Sequence, residues 1–465
     1  MFERLDGAGG YAHTFRRGPY VFDPAIHVIP QAASDGTVDL LLRYLGVHGR
    51  CTFEPLPSLY QVAFPGDVFE VPVGLERLIE AHGDACPGDA AGISDFFRLC
   101  ERFVEEAHQV PVQLPLSQLD RAVEQFPTLF GYRTRTLADV LAEFVPGARA
   151  RALCAATWPL LGLPPSRLAF ELFARFLITQ STGNFHCVGG FQNFVDAFVV
   201  ALEDSGGRLV TGGEVRRIVI RDGRAAGVEL EGGQRVQASV VISNGDAHHT
   251  FHDLVGLDHL PAGYLRRLSR LRPSISAFVV YAATSLSIAE LDVAHQTFIF
   301  RDHDHESSFE GLLRGEAAGA QLVLPSLHDN SLAPSGEQIV AITSLAPYDL
   351  GRPWPEAKQE LEDAYLALVE RVLPGLRGCL THVESSTPIA MERYTRNHWG
   401  AAYGWENAPD QSASKRLTYE TPVPGLYLSG HWTQPGSALR VVVSGTHVAQ
   451  AILRERGVKD VGPSF

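Results

Sequence analysis

The sequence predicts an α/β protein built of two interleaved domains, and three observations carry that expectation. A chain of 465 residues exceeds what one hydrophobic core usually serves. Helical and strand-like periodicities alternate along it, with Gly-containing turn signals between the strand-like runs. Near the C-terminus a short apolar strand passes through a Gly turn and a loop into a final helix. The apolar share of 45% and charged share of 20% are those of an ordinary folded globule.

In chain order, the opening FERLDGAGGYAHTFRRGPYVFDPAIHVI places Glu3 at the end of an apolar stub, followed by a Gly-rich turn at Gly9-Gly10, an arginine pair and Phe22-Asp23. Residues from about 85 to 180 hold proline-broken helical stretches, SDFFRLCERFVEEAHQV and LADVLAEFV among them, and read as a mainly helical insertion. Within Gly189 to Gly207 the residues Phe191, Phe194, Val195, Phe198, Val199 and Leu202 recur at helical spacing, and a Gly pair stops the helix. The following stretch alternates β-branched runs with the hairpin signals Asp222-Gly223 and Gly232-Gly233, and ends in a strand from Val240 to Ser243. From Ser276 to about Ser386, AFVVYAAT, TFIFRD, QLVLPS, QIVAITS and LTHVESST predict a second sheet, with one long helix from Glu356 to Val372. At the end, a strand from Leu426 to Ser429 precedes a helix expected to open at about Ser444-Gly445, and VKDVGPSF reads as a loose tail.

Composition excludes several classes. With 53 acidic against 39 basic residues the formal charge is -14, which repels phosphate backbones, so nucleic acid is not an expected partner. The six cysteines form no CxxC pair, so neither a zinc site nor a disulfide framework is indicated; they read as reduced thiols of a cytoplasmic protein. No stretch reaches the roughly 18 apolar residues of a membrane span. The run ALCAATWPLLGLPP suits a core helix or an interfacial dip, which leaves peripheral membrane-surface contact open. His248 and His252 lie four apart, as metal ligands on a helix would, but no third ligand joins them, so no metal is expected. The run Asp302 to Glu306 reads as a solvated loop, and no GxSxG or HExxH motif is present.

Two places carry chemistry. Small residues at a helix start leave backbone N–H groups free where the helix dipole favours negative charge, so the C-terminal strand-loop-helix can receive a phosphate or a flavin pyrimidine edge. An acidic residue placed like Glu3 would hydrogen-bond the ribose of an adenine dinucleotide, about 20 residues beyond a G-x-G-x-x-G turn. Taken in order, FERLDGAGGYAHTFRRGPYVFD, GGFQNFVDAFVVALEDSGGRLVTGGEVRRIVI, VVISNGDAHHT, ERYTRNHWGAAYGWENAP and TPVPGLYLSGHWTQPGSALRVVVSG resemble the phytoene desaturase, carotenoid isomerase and retinol saturase family, a branch of the amine oxidase superfamily.

That resemblance implies an α/β fold in which a Rossmann-like FAD-binding domain (1–30, 185–255 and 385–465), truncated at its N-terminus, is interleaved with an α+β substrate domain (31–184 and 256–384) carrying the helical insertion. It implies FAD as cofactor, a long apolar polyene or isoprenoid as substrate, and desaturation, isomerisation or saturation as reaction. Cofactor contacts are expected from Glu3, Arg4, Gly9, Gly10, Val215, Gly430, His431, Pro435, Gly436, Ser444 and Gly445. His27, His431 and Trp432 are the expected catalytic groups beside the isoalloxazine, histidine being the usual proton handler near neutral pH.

The sequence departs from the family pattern in three ways. The family's first strand and glycine loop would precede Met1 by roughly 30 residues, so the chain as written is expected to hold FAD weakly. Ala25 stands where many relatives have glycine, and His431 where the wider superfamily often has aspartate. Trp399, Tyr403 and Trp405 are candidate walls of a substrate channel. Two alternatives stay open: a flavin amine or amino-acid oxidase, and a non-catalytic relative without its cofactor. Nothing in the sequence specifies an oligomeric state.

Overall fold

The computed structural model describes residues 1–110, 116–288 and 290–463. Its largest element is a seven-stranded sheet ordered β16-β12-β15-β14-β13-β5-β6, made of β5 (Ser58–Phe64), β6 (Asp67–Pro72), β12 (Ser276–Thr284), β13 (Gln296–Phe300), β14 (Gly319–Val323), β15 (Gln338–Ala346) and β16 (Leu380–Ser386). Every neighbouring pair is antiparallel except β13 and β5, which run parallel with Phe298 opposite Val62. The second sheet expected between 276 and 386 is therefore present, and a hairpin from residues 58–72 extends it. Alternation along the strands sends two faces to two cores. Tyr60, Val62, Phe64, Phe298 and Phe300 pack on the helices of the insertion, whereas Ala63, Ile299, Leu322 and Ile342 pack on α12 (Trp354–Val369) through Trp354, Leu361 and Tyr365.

The insertion comprises α2 (Leu75–Ala85), α3 (Ala90–Gln109), α4 (Leu119–Gln125), α5 (Pro127–Tyr132), α6 (Leu137–Phe144), α7 (Ala148–Ala155) and α8 (Phe170–Ser181). Its organiser is α3, whose Ile93, Phe96, Phe97, Cys100, Phe103 and Val104 fall at helical spacing and are all buried. Ala152 to Leu163, the run that suggested an interfacial dip, lies inside this core, with Trp158 fully buried against Phe300 and Phe309. Its apolar surface serves packing rather than lipid. Among the described residues, no helix is long and apolar enough to cross a membrane.

The remaining segments interlock. A hairpin of β1 (Phe15–Arg17) and β2 (Tyr20–Phe22) packs its aromatic rings on Tyr281 of the large sheet. A three-stranded sheet joins β3 (Ile29–Pro30), β7 (Asn184–Cys187) and β4 (Phe53–Pro55). Next to it, α1 (Thr37–Tyr44), α9 (Gln192–Asp204) and α14 (Ala438–Glu455) share one core through Val38, Leu42, Phe194, Ala197, Leu439 and Val443. The expected hairpins form as β8 (Val215–Arg221), β9 (Arg224–Leu230) and β10 (Arg235–Gln237), the first closed by Asp222 and Gly223, both at positive φ as a two-residue turn of this hand requires. β11 (Val241–Ser243) pairs in parallel with β17 (Leu426–Leu428), and Phe2 bridges Val210 in parallel, so the C-terminal and N-terminal segments both join the middle of the chain. The last helices are α10 (Ala262–Leu268), α11 (His305–Leu313) and α13 (Pro388–Thr395).

Three local expectations are corrected. The final helix opens at Ser437, whose hydroxyl accepts from Arg440 N–H, so Ser444 and Gly445 lie in the helix interior with their amides committed to it. The run from Asp302 is only partly a solvated loop: α11 begins at His305, which is buried and bonded to the Ala152 carbonyl at 2.8 Å. The tail from 458 is pinned where Gln450 donates to the Pro463 carbonyl, and its last residues, 464–465, lie outside the described residues.

Candidate functional site

The Gly430 turn is the best-built part of the candidate site. β17 and β11 end side by side, Ser429 N–H donating to the Ser243 carbonyl at 2.9 Å, and the chain reverses at Gly430 with φ of 89°. A Cβ there would lie 2.1 Å from Asn244 Oδ1, so only glycine fits. Ser444 reaches back from inside α14, its Oγ accepting Gly430 N–H at 2.8 Å. Ser444 thus fixes the turn from behind, while Gly445 is exposed on the helix, so the contact expected of this pair from a helix start is not available. Further on, a Cβ at Gly436 would lie 2.8 Å from Tyr403 Cα, which makes that glycine a close-approach point as well.

His431 and Trp432 follow the turn and are held together by Asn397, which accepts from Trp432 Nε1 at 3.0 Å and lies 3.3 Å from His431 Nε2. Burial, with a smaller push from the Arg416 charge, lowers the His431 ring to about 3. His27 lies elsewhere, in a buried group with His186 and His295; burial lowers it to about 4, and its Nε2 has no partner among the described residues. Both rings are therefore neutral at ordinary pH, since burial disfavours the charged imidazolium. Two buried carboxyls titrate closer to neutrality. Asp246, whose oxygens accept from His249 and His398 N–H, and Asp23, which accepts from Thr14 Oγ1 and Phe191 N–H, are each raised to about 6 by burial.

At the other end, residues 1–5 run along 208–213. Glu3 N–H donates to the Val210 carbonyl and Gly213 N–H to the Glu3 carbonyl, and Val215 begins β8 two residues later. One Glu3 oxygen accepts Leu5 N–H at 2.8 Å, and the other has no partner among the described residues. Arg4 turns away, its guanidinium donating to the carbonyls of Arg393 and Tyr394 at the end of α13, a structural anchor rather than a free cation. Gly9 and Gly10 take φ of 128° and 56°, and a Cβ on Gly9 would meet Val195 of α9 at 3.2 Å.

A cavity of about 360 Å³ opens beside Pro435 and Gly436, between α8 and the start of α14. Of the three candidate channel aromatics, Tyr403 lies near it, donating to the Pro159 carbonyl and packing on Gly162. Trp405 is wholly buried, its Nε1 donating to the Trp432 carbonyl at 2.9 Å, so it is core. Trp399 is 51% exposed and stacks on His398. His248 stacks on His398 and sits near His252, but no group of three or more His, Cys, Asp or Glu among the described residues could hold a metal ion.

The cavity beside Pro435 and Gly436, and the Glu3 carboxylate with one oxygen bonded to Leu5 N–H, fit a dinucleotide cofactor such as FAD. Sequence reasoning missed Asn397, Asp246 as a carboxyl, Arg416 and Arg440. Nothing local marks Asn397, whose partners lie 34 and 35 residues on, or Arg416, whose acceptors are an amide oxygen and two backbone carbonyls with no sequence signature. Arg440 could have been found by reading Ser437 as the helix cap.

Comparison with known proteins bears on this arrangement. The sequence profile of the flavin containing amine oxidoreductases matches residues 1–453. The phytoene desaturase (neurosporene-forming) of Rhodobacter capsulatus is 26% identical over 473 residues, 97% of this chain and 88% of that protein. The all-trans-retinol 13,14-reductase of Danio rerio is 24% identical, covering 92% of this chain and 78% of its own. Among solved structures, a putrescine oxidase bound to putrescine matches with a TM-score of 0.65 at 15% identity, over 97% of this chain and 93% of that one, a likeness of fold.

Proposed function

Because the chain belongs to the flavin containing amine oxidoreductase family, we propose that it is an FAD-dependent oxidoreductase acting on a long apolar polyene or isoprenoid, by desaturation, isomerisation or saturation. The observation that carries this reading is the likeness to phytoene desaturases and retinol reductases over nine-tenths or more of the chain. Bound FAD supplies acceptance and return of hydride. Glu3 would hold its ribose, the backbone at Val215 its adenine, and the stretch from Gly430 to Gly436 the flavin end. His431, held by Asn397, presents a neutral ring there, while Trp432 is buried and packs behind it. Asp246 and Asp23, the carboxyls burial raises to about 6, are the residues that would hold or release a proton near neutral pH. A substrate of this kind partitions into membranes, so the protein meets it at a membrane surface.

The test is incubation of FAD-supplemented protein with phytoene and with all-trans-retinol, followed by chromatography and absorbance. Lengthened conjugation marks a desaturase, shortened conjugation a saturase, and a new isomer of unchanged mass an isomerase. Unaltered polyenes together with peroxide formation from an amine would overturn the proposal in favour of an amine oxidase.

A further inference from the structure

The cavity beside Gly436 combines apolar walls with an excess of positive charge. Leu161, Leu172, Phe176, Leu417 and Leu439 line it, together with three arginines, Arg175, Arg416 and Arg440, against one carboxylate, Glu171. Arg416 is 3% exposed and has no acidic partner among the described residues. Its Nη1 donates to Asn407 Oδ1, its Nη2 to the carbonyls of Tyr403 and Trp405, and its Nε has no partner among the described residues. Burial lowers it to about 9. Arg440, in the first turn of α14, feels the charges of Arg175 and Glu171, but its guanidinium hydrogen-bonds to no described residue. Arg175 Nε stands 3.5 Å from Glu171 Oε1, so the one carboxylate is already engaged. The positive end of α14 adds to the same field.

A buried cation without a counter-charge is costly, and so is an unpaired donor beside it. In a chain of net charge -14, three arginines gathered at one half-apolar cavity mark a place for an anion attached to an apolar body. Guanidinium forks match the two oxygens of a carboxylate. We propose that this cavity receives the carboxylate end of the substrate, so that the enzyme prefers a polyene or isoprenoid acid to the corresponding alcohol or hydrocarbon. The inference rests on the polyene reading above and narrows it.

The test uses all-trans-retinoate and all-trans-retinol, which share a polyene chain and differ at the terminal group, titrated into the protein without and with saturating FAD, with tryptophan quenching as the readout. Retinoate binds about tenfold tighter than retinol, the effect of one charge-assisted contact pair. Arg440→Gln and Arg175→Gln each reduce that preference several-fold. These two carry the test because Arg416 also braces three internal acceptors and its loss could unfold the protein. Equal binding of acid and alcohol, or a preference that survives both substitutions, overturns the inference and leaves the polyene reading intact. Inorganic phosphate binding as tightly as retinoate overturns it by showing a site for free anions. Loss of retinoate binding on saturation with FAD overturns it by giving the arginines to the cofactor. Failure of both retinoids to bind defeats the polyene reading as well.

Discussion

Asn397 Oδ1 accepts the indole N–H of Trp432 at 3.0 Å and lies 3.3 Å from His431 Nε2, so one amide after α13 fixes both rings that follow the Gly430 turn. Trp432 is 1% exposed, which leaves water no access to an orphaned indole N–H. Asn397→Ala is therefore expected to destabilise the fold by about 1–3 kcal/mol. Denaturant titration checks this, and a midpoint matching the parent protein would show that the amide is dispensable.

The two glycines on either side of the α14 start should respond with opposite signs. Gly430→Ala forces a Cβ to 2.1 Å from Asn244 Oδ1 at φ of 89°, and should cost on the order of 2 kcal/mol. Gly445→Ala meets nothing within 4 Å on an exposed helix interior, and should gain up to about 1 kcal/mol. Thermal melts of both variants decide the matter. No gain at Gly445 would argue that the helix does not run through it from Ser437.

Stability should fall steeply in acid. Burial lowers His27, His82 and His305 to about 4, against an ordinary histidine value of 6.5. The unfolded chain then binds more protons between those values, so the stability these neutral rings contribute above pH 6.5 is lost as pH falls toward 4. At pH 5 the loss is ~2 kcal/mol per ring. Asp23 and Asp246 act oppositely, since carboxyls raised to about 6 favour the folded state at low pH and lose that advantage as pH rises from 3.8 through 6. Three histidines outweigh two carboxyls, and the thermal midpoint should drop between pH 8 and pH 5. His305→Leu should flatten that slope by one proton; an unchanged slope would mean the ring is protonated in the fold.

Asp329 should prove structural. Burial pushes its carboxyl up, but His186 Nε2 at 3.1 Å, Ser331 and Gly189 N–H overcome that and hold it below the usual range. Asp329→Asn weakens the His186 and Gly189 contacts together, at an expected cost of about 3 kcal/mol or more. Equilibrium unfolding of the variant tests this, and a change under about 1 kcal/mol would refute the buried network.

Periodicity alone determined the amphipathic helix at Gln192–Asp204, the Asp222-Gly223 hairpin and five strands of the large sheet, because burial of one face and positive φ at a turn are properties of neighbouring residues. The ordered blocks from Glu3 to the Gly430 turn also made the family and its flavin legible. Where the final helix begins was legible too, in Ser437 with its N3 residue Arg440, but the small pair Ser444-Gly445 drew the boundary seven residues late. Tertiary structure decided the rest. Asn397 meets Trp432, and Arg416 meets the α8 wall, only because segments far apart in the chain pack together. The same packing removed water from His27 and His431 and from Asp23 and Asp246, and desolvation disfavours the charged form of each. It thereby put the groups whose charge changes near pH 6 among the buried carboxyls, where residue type alone would have pointed to the histidines.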